Sequence, residues 1–180
     1  VYLHKTTVST EQMLIQLIRR ARVVAQEDSA LFCTPTLGFF LKQHIRMKDF
    51  ENNPDYLHQF TKLDDFDIWC GIKAWADHHD KVLSLLSRML LIRDIFRVEI
   101  GQRPPPPGRI ATAEQQAKKH FDLSDEEVPY LCTNGYITNA GYIPDNENIL
   151  IKMKTGEIVD AAKASDLPNI EALSKIVKKY

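Results

Sequence analysis

A mainly helical α+β fold is predicted for this chain by three features of its sequence. Apolar residues recur at helical spacing through residues 1–100, and each run opens on a capping residue. Four consecutive prolines at 104–107 then interrupt the chain. Short alternating runs around Lys154-Thr155-Gly156 follow and read as a β-hairpin. The predicted layout is a helical segment over 1–100, a Pro-rich linker over 101–111 and a small α+β segment over 112–180.

The elements follow in order. Ser9-Thr10-Glu11-Gln12 matches a capping box and precedes Met13, Leu14, Leu17, Ile18, Ala21 and Val24. That stripe predicts a helix over about residues 10–26, with Arg19, Arg20 and Arg22 off the apolar face. Thr34-Pro35 places a cap and then a proline at the first helical position, ahead of Leu37, Phe40, Leu41 and Ile45. Asn53-Pro54 repeats the signal for a short helix through Phe60, and Asp64 caps a helix holding Phe66, Trp69, Cys70 and Lys73. Asp80 caps another, with Val82, Leu83, Leu86, Met89 and Leu90 inward.

Past Arg93 the pattern changes. Residues 96–100 alternate and suit a strand. The prolines at 104–107 lack amide donors and favour polyproline II. Thr112-Ala113-Glu114-Gln115 and Ser124-Asp125-Glu126-Glu127 open two short helices. Strands are expected over 136–142, 149–153 and 157–161, and Ser165-Asp166 caps a last helix from about Pro168.

Composition bounds the function. With 44% hydrophobic and 26% charged residues the chain has the makeup of a globular domain. The net charge of −1 gives no bulk attraction for nucleic acid or an anionic membrane, and no run approaches a membrane span. The start at Val1-Tyr2 has neither Met nor signal peptide and reads as a cut through a longer, cytoplasmic protein. Cys33, Cys70 and Cys132 are too widely spaced for a CxxC zinc unit and read as reduced thiols.

Most candidate chemistry has a structural explanation. His78-His79-Asp80 suggests metal, but adjacent helical residues point about 100° apart, so a polar helix connection is the expectation, with no metal bound by this chain. Asp64, Asp65 and Asp67 sit where a helix starts and are read as caps rather than acid–base groups. There is no G-x-S-x-G elbow, no G-x-x-x-x-G-K-[ST] loop and no G-x-G-x-x-G, so any phosphate would be held by Arg and Lys side chains. Two segments offer that chemistry. Tyr2-Leu3-His4-Lys5 combines a ring, an imidazole and an ammonium, and Arg93-Asp94-Ile95-Phe96-Arg97 carries two arginines four apart. On a helical turn both arginines would project from one face, with Ile95 and Phe96 in the core.

Taken together, these segments resemble the HD-superfamily phosphohydrolases of the deoxynucleoside triphosphate triphosphohydrolase type, the SAM/HD-like group. The match runs from Tyr2-Leu3-His4-Lys5 through Leu63-Asp64-Asp65-Phe66-Asp67-Ile68 to Arg93-Asp94-Ile95-Phe96-Arg97, in the family's order Y-x-H-K, L-x-D, R-[ND]-L-[FY]-K. The resemblance implies that the chain is the C-terminal part of an HD-type helical domain and its tail. The family's metal motif, a His, a His-Asp pair and a later Asp, stands upstream of Y-x-H-K, and His79-Asp80 falls well after it.

What the resemblance implies is a metal-dependent hydrolase acting on dNTPs in the intact protein, with a divalent cation there and this chain alone inactive. Tyr2 would lie against the substrate sugar. His4, Lys5, Arg93 and Arg97 would hold regulatory dNTP or GTP phosphates between subunits of a homo-oligomer. Arg97 replaces a lysine of the pattern, which keeps the charge and changes the hydrogen-bond geometry. The alternative is a regulatory or oligomerisation module that binds no substrate. Nucleic acid is not an expected partner, and neither is a membrane.

Overall fold

The computed structural model describes residues 4–28, 30–139, 149–160 and 177–180. Tyr2, the end of the strand expected over 136–142 and the helix expected from Pro168 lie outside the described residues. The fold is α+β and mainly helical, as the sequence predicts, with eight helices and four three-residue strands among the described residues. No helix there is long and apolar enough to cross a membrane.

Helix α1 (Lys5–Glu27) starts well before the capping box that was expected to open it. The cap is His4, whose Nδ1 accepts from the Thr6 amide at 3.2 Å. Ser9 is therefore inside the helix, fully buried, and its hydroxyl donates to the Phe96 carbonyl at 2.8 Å. The expected stripe does face the core: Met13, Leu17 and Ala21 are completely buried.

Helices α2 (Pro35–Lys42), α4 (Pro54–Phe60) and α5 (Asp65–Trp75) begin where their caps predict. Thr34 Oγ1 accepts from the Leu37 amide and Asn53 Oδ1 from the Asp55 amide. At α5 the box is reciprocal: Asp64 Oδ1 accepts from the Phe66 and Asp67 amides while Asp67 Oδ2 accepts from the Asp64 amide at 3.0 Å. The acidic cluster thus holds a helix start. α2 ends at Lys42, so Ile45, expected on it, lies beyond. The sequence reading missed α3 (Met47–Asn52), which lacks a Ser, Thr, Asp or Asn at its N-cap; the Asp49 carboxylate holds the Arg46 amide instead, at 2.6 Å. Edge-on rings of Phe39, Phe50, Tyr56 and Phe60 join α2, α3 and α4.

α6 (Lys81–Ile92) buries the five apolar residues expected of it, Val82, Leu83, Leu86, Met89 and Leu90, against α1 and α5. Trp75 is fully buried at the end of α5 and donates its indole N–H to the Phe32 carbonyl at 2.7 Å. Gly71 makes room for that ring, since a Cβ there would stand 2.8 Å from Trp75 Cζ2.

Residues 96–100, expected as a strand, form no strand and pair with none among the described residues. α7 (Pro107–Phe121) begins on the last proline, inside the 101–111 stretch, and Thr112, expected as a cap, lies within it bonding back to the Gly108 carbonyl. Proline at the first helical position needs no donor and has the right φ, which overrides the downstream box. After α7, Leu123 and, from α8 (Val128–Leu131), Val128 and Leu131 join the same core cluster as α1 and α6. Ser124 caps this turn as expected in part, with Glu127 Oε2 accepting from its amide at 2.7 Å. Strand β1 (Ile137–Asn139) pairs antiparallel with β4 (Val177–Lys179). β2 (Leu150–Lys152) pairs with β3 (Ile158–Asp160) through the expected turn, where Gly156 takes φ 89° and its amide donates to the Met153 carbonyl.

One ion pair ties the array together. Arg20, midway along α1, donates from Nε to both Asp80 oxygens at 3.1 Å and from Nη2 to Oδ2 at 2.5 Å. Asp80 Oδ1 also accepts from the Leu83 amide at 2.8 Å and so caps α6. Burial pushes the Asp80 carboxyl upward, but the Arg20 guanidinium and the Leu83 amide together hold it below its usual value. A depressed carboxyl contributes stability above the unfolded pKa of about 3.9, and that stability disappears as pH falls through the folded value. Asp80→Asn is expected to cost about 2–4 kcal/mol at neutral pH. It should also flatten the acid limb of stability below about pH 4; urea titrations across that range check both.

Candidate functional site

The start of α1 and the segment after α6 meet on one side of the array. Phe96 is clamped by two α1 residues: its carbonyl accepts from Ser9 and its amide donates to Met13 Sδ at 3.3 Å. Ile95 and Phe96 pack against the core, as expected, and Arg97 projects into solvent. His4 and Lys5 are exposed at the other edge of the contact.

Glu99 shows how close these cations come. Arg109 binds it in a fork, with both N···O distances 2.6 Å, and this hydrogen bonding holds the Glu99 carboxyl low. Arg97 and Lys5 lower it further, so both lie within electrostatic reach of the same carboxylate. The hydrogen-bonded partner of Glu99 is Arg109, and Lys5 and Arg97 act on its carboxylate only through the electrostatic field. The sequence reading took Ser9 for a helix cap and residues 96–100, Glu99 among them, for a strand, and it gave Arg109 no role.

Arg93 is placed differently from the expectation. It ends α6 in a left-handed turn, φ 61° and ψ 31°, with the Asp94 amide donating to the Met89 carbonyl at 2.9 Å. The chain beyond it is non-helical. Arg93 and Arg97 thus do not share one helical face, because α6 ends at Ile92 and the residues after Arg93 are not helical. The reason is local: the turn at Arg93 stops the helix before Arg97 is reached. A non-glycine residue in this conformation carries roughly 1 kcal/mol of strain.

Asp80 cannot serve His79 as the second half of a metal-binding His-Asp pair, because its carboxylate is taken by Arg20 and by the first turn of α6. His79 and Asp80 therefore do not form a metal-binding His-Asp pair. One group of three metal-ligating side chains does come together among the described residues: Asp28, His78 and His79. An apolar hollow of about 100 Å³ opens between α1, α5 and α6, lined by Leu14, Ile68, Trp69, Ile72 and Leu90, and Phe66 beside Asp65 is 81% exposed.

A phosphohydrolase of known structure from Bacteroides thetaiotaomicron VPI-5482 is similar to this chain, with a TM-score of 0.78 and 43% sequence identity. The likeness covers 100% of this chain and 45% of that one, so the chain spans under half the length of the structure it matches. The likeness supports a phosphohydrolase relationship. No family model matches the chain, and no curated protein does.

Ser9 links α1 to the Arg97 segment and can be tested alone. Ser9→Ala leaves the Phe96 carbonyl without its donor and is expected to cost about 1–2 kcal/mol. Hydrogen exchange at residues 94–97 should speed up more than exchange in α7, which begins eleven residues beyond Phe96.

Proposed function

We propose that this chain is the C-terminal part of an HD-type, metal-dependent nucleotide phosphohydrolase acting on dNTPs, and that it carries a regulatory phosphate site. The likeness to the longer phosphohydrolase over the whole of this chain carries the reading. The ordered segments at Tyr2–Lys5, 63–68 and 93–97 supply its finer part. In it, Tyr2 lies against the substrate sugar. Lys5 and Arg97 receive phosphate oxygens, with His4 beside Lys5 and Arg93 at the end of α6. The divalent cation of the intact enzyme supplies the activated water and is held by residues outside this chain; the chain alone is inactive. The intact protein works as a cytoplasmic homo-oligomer.

The charge arrangement supports phosphate at Lys5 and Arg97. Glu99 occupies part of the cationic field, so an arriving phosphate competes with it. The opposing reading is an assembly module without nucleotide. It is favoured by the exposed apolar side chains of α4 and α5, where Leu57, Phe60, Phe66 and Trp69 are all exposed.

Thermal melting with dNTPs or GTP separates the two readings. Nucleotide is expected to raise the melting temperature of the chain. Lys5→Ala and Arg97→Ala should remove the shift, and Glu99→Gln should tighten binding severalfold. Arg93 is best removed as glycine, which accepts the left-handed turn: Arg93→Gly should weaken the nucleotide shift without loss of stability. No shift in the unsubstituted chain favours the assembly module. Release of triphosphate by the purified chain with any divalent metal would contradict its assignment as an inactive part.

A further inference from the structure

Away from the phosphate site, the exit of α1 meets the connection between α5 and α6. Asp28 caps the end of α1: its amide donates to the Val24 carbonyl at 2.7 Å, and its Oδ1 accepts from the Ala30 amide at 2.8 Å. That leaves Oδ2 available. His78 and His79 follow α5 in a bend rather than a helix. The 100° divergence of successive helical side chains therefore does not apply, and the two rings lie face to face, with centroids 4.1 Å apart and planes tilted by 31°. One ligand atom from each of Asp28, His78 and His79 falls within 4.8 Å of the other two.

We propose that Asp28, His78 and His79 form a site for a borderline divalent cation such as Zn²⁺, completed by water. The donor set is two imidazoles and one carboxylate, which suits zinc, cobalt, nickel or copper and not the oxygen-seeking magnesium or calcium. The ligands come from two elements some fifty residues apart in sequence, as a metal clip requires. Zinc bonds of about 2.0–2.1 Å put tetrahedral ligands roughly 3.4 Å from one another. The three groups must close by no more than about 1.5 Å to reach that geometry, and His79, being exposed, has room to turn.

Loading the site has a local cost that sets its strength. His78 Nδ1 accepts from the Asp80 amide at 3.0 Å, so the neutral ring keeps its proton on Nε2. A cation at Nε2 moves that proton to Nδ1, and a cation at Nδ1 displaces the amide. Either way the Asp80 amide loses its acceptor. A metal-bound histidine ordinarily donates its second nitrogen to a partner, and a missing partner lowers affinity about 10–100-fold. The site is therefore one of moderate affinity, coupled to the start of α6.

Dialysis of the 180-residue chain at neutral pH against Zn²⁺, Co²⁺ or Mg²⁺ tests this directly. The expected result is one equivalent of zinc or cobalt, none of magnesium, and a cobalt spectrum of nitrogen and oxygen ligation. Zinc should also raise the melting temperature. His79→Ala removes an exposed ring and should leave the metal-free melting temperature unchanged. It and Asp28→Asn should each lower zinc affinity at least tenfold and abolish the thermal shift. Zinc binding that is equal in wild type and the double variant would overturn the proposal. So would cobalt bands of thiolate ligation, which would assign the metal to Cys33, Cys70 or Cys132, or the absence of any zinc binding.

Discussion

The Arg20–Asp80 ion pair sets how α1 lies along α6, and most of the structure depends on that alignment. It is largely buried, with side-chain exposures of 21% and 13%, and forked, so it fixes orientation as well as distance. The same carboxylate caps α6, and the Tyr130 ring lies 5.5 Å from the Arg20 guanidinium, which brings α8 onto the other side. A forked pair in a low-dielectric setting tolerates no slippage, because moving either partner strands a charge. With α1 and α6 so aligned, Met13 and Leu17 face Leu83 and Leu86 in one core, and Ser9 comes opposite the Phe96 carbonyl.

The candidate site inherits its geometry from this alignment. Lys5 belongs to the first turn of α1 and Arg97 to the segment that leaves α6. Ser9 and Met13 of α1 hold the Phe96 backbone, which ties the two segments together. Glu99 and Arg109 then define the local charge. With Glu99 paired to Arg109, the exposed Lys5 and Arg97 leave this region cationic.

Local signals made much of the fold legible. Thr34, Asn53, Asp64 and Asp80 cap the helices they were expected to cap, because each side chain satisfies amides that the helix itself leaves free. Gly156 turns the hairpin for the reason its position suggests. The failures share a cause. Ser9 and Thr112 both head capping boxes, yet upstream residues, His4 and Pro107, open the helices first. Residues 96–100 have the alternation of a strand, but the face they meet is a helix, so the backbone pairs with Ser9 and Met13 side chains instead of a ladder. At the candidate site, His4, Lys5, Arg93 and Arg97 were singled out through family likeness alone, whereas the Ser9 and Glu99 hydrogen bonds are tertiary contacts that no spacing rule encodes. His78 and His79 do lie in the connection between α5 and α6, as expected, but the 100° separation of adjacent helical residues does not apply outside a helix.

The most direct test of this account is a double-mutant cycle on Arg20 and Asp80, using Arg20→Met and Asp80→Asn. Stability is read by urea unfolding at neutral pH for the wild type, both single variants and the pair. The account requires a coupling energy of about 2 kcal/mol, with the double variant much less destabilised than the sum of the singles. Additive effects, with coupling near zero, would mean that α1 and α6 are aligned by apolar packing alone and would contradict it.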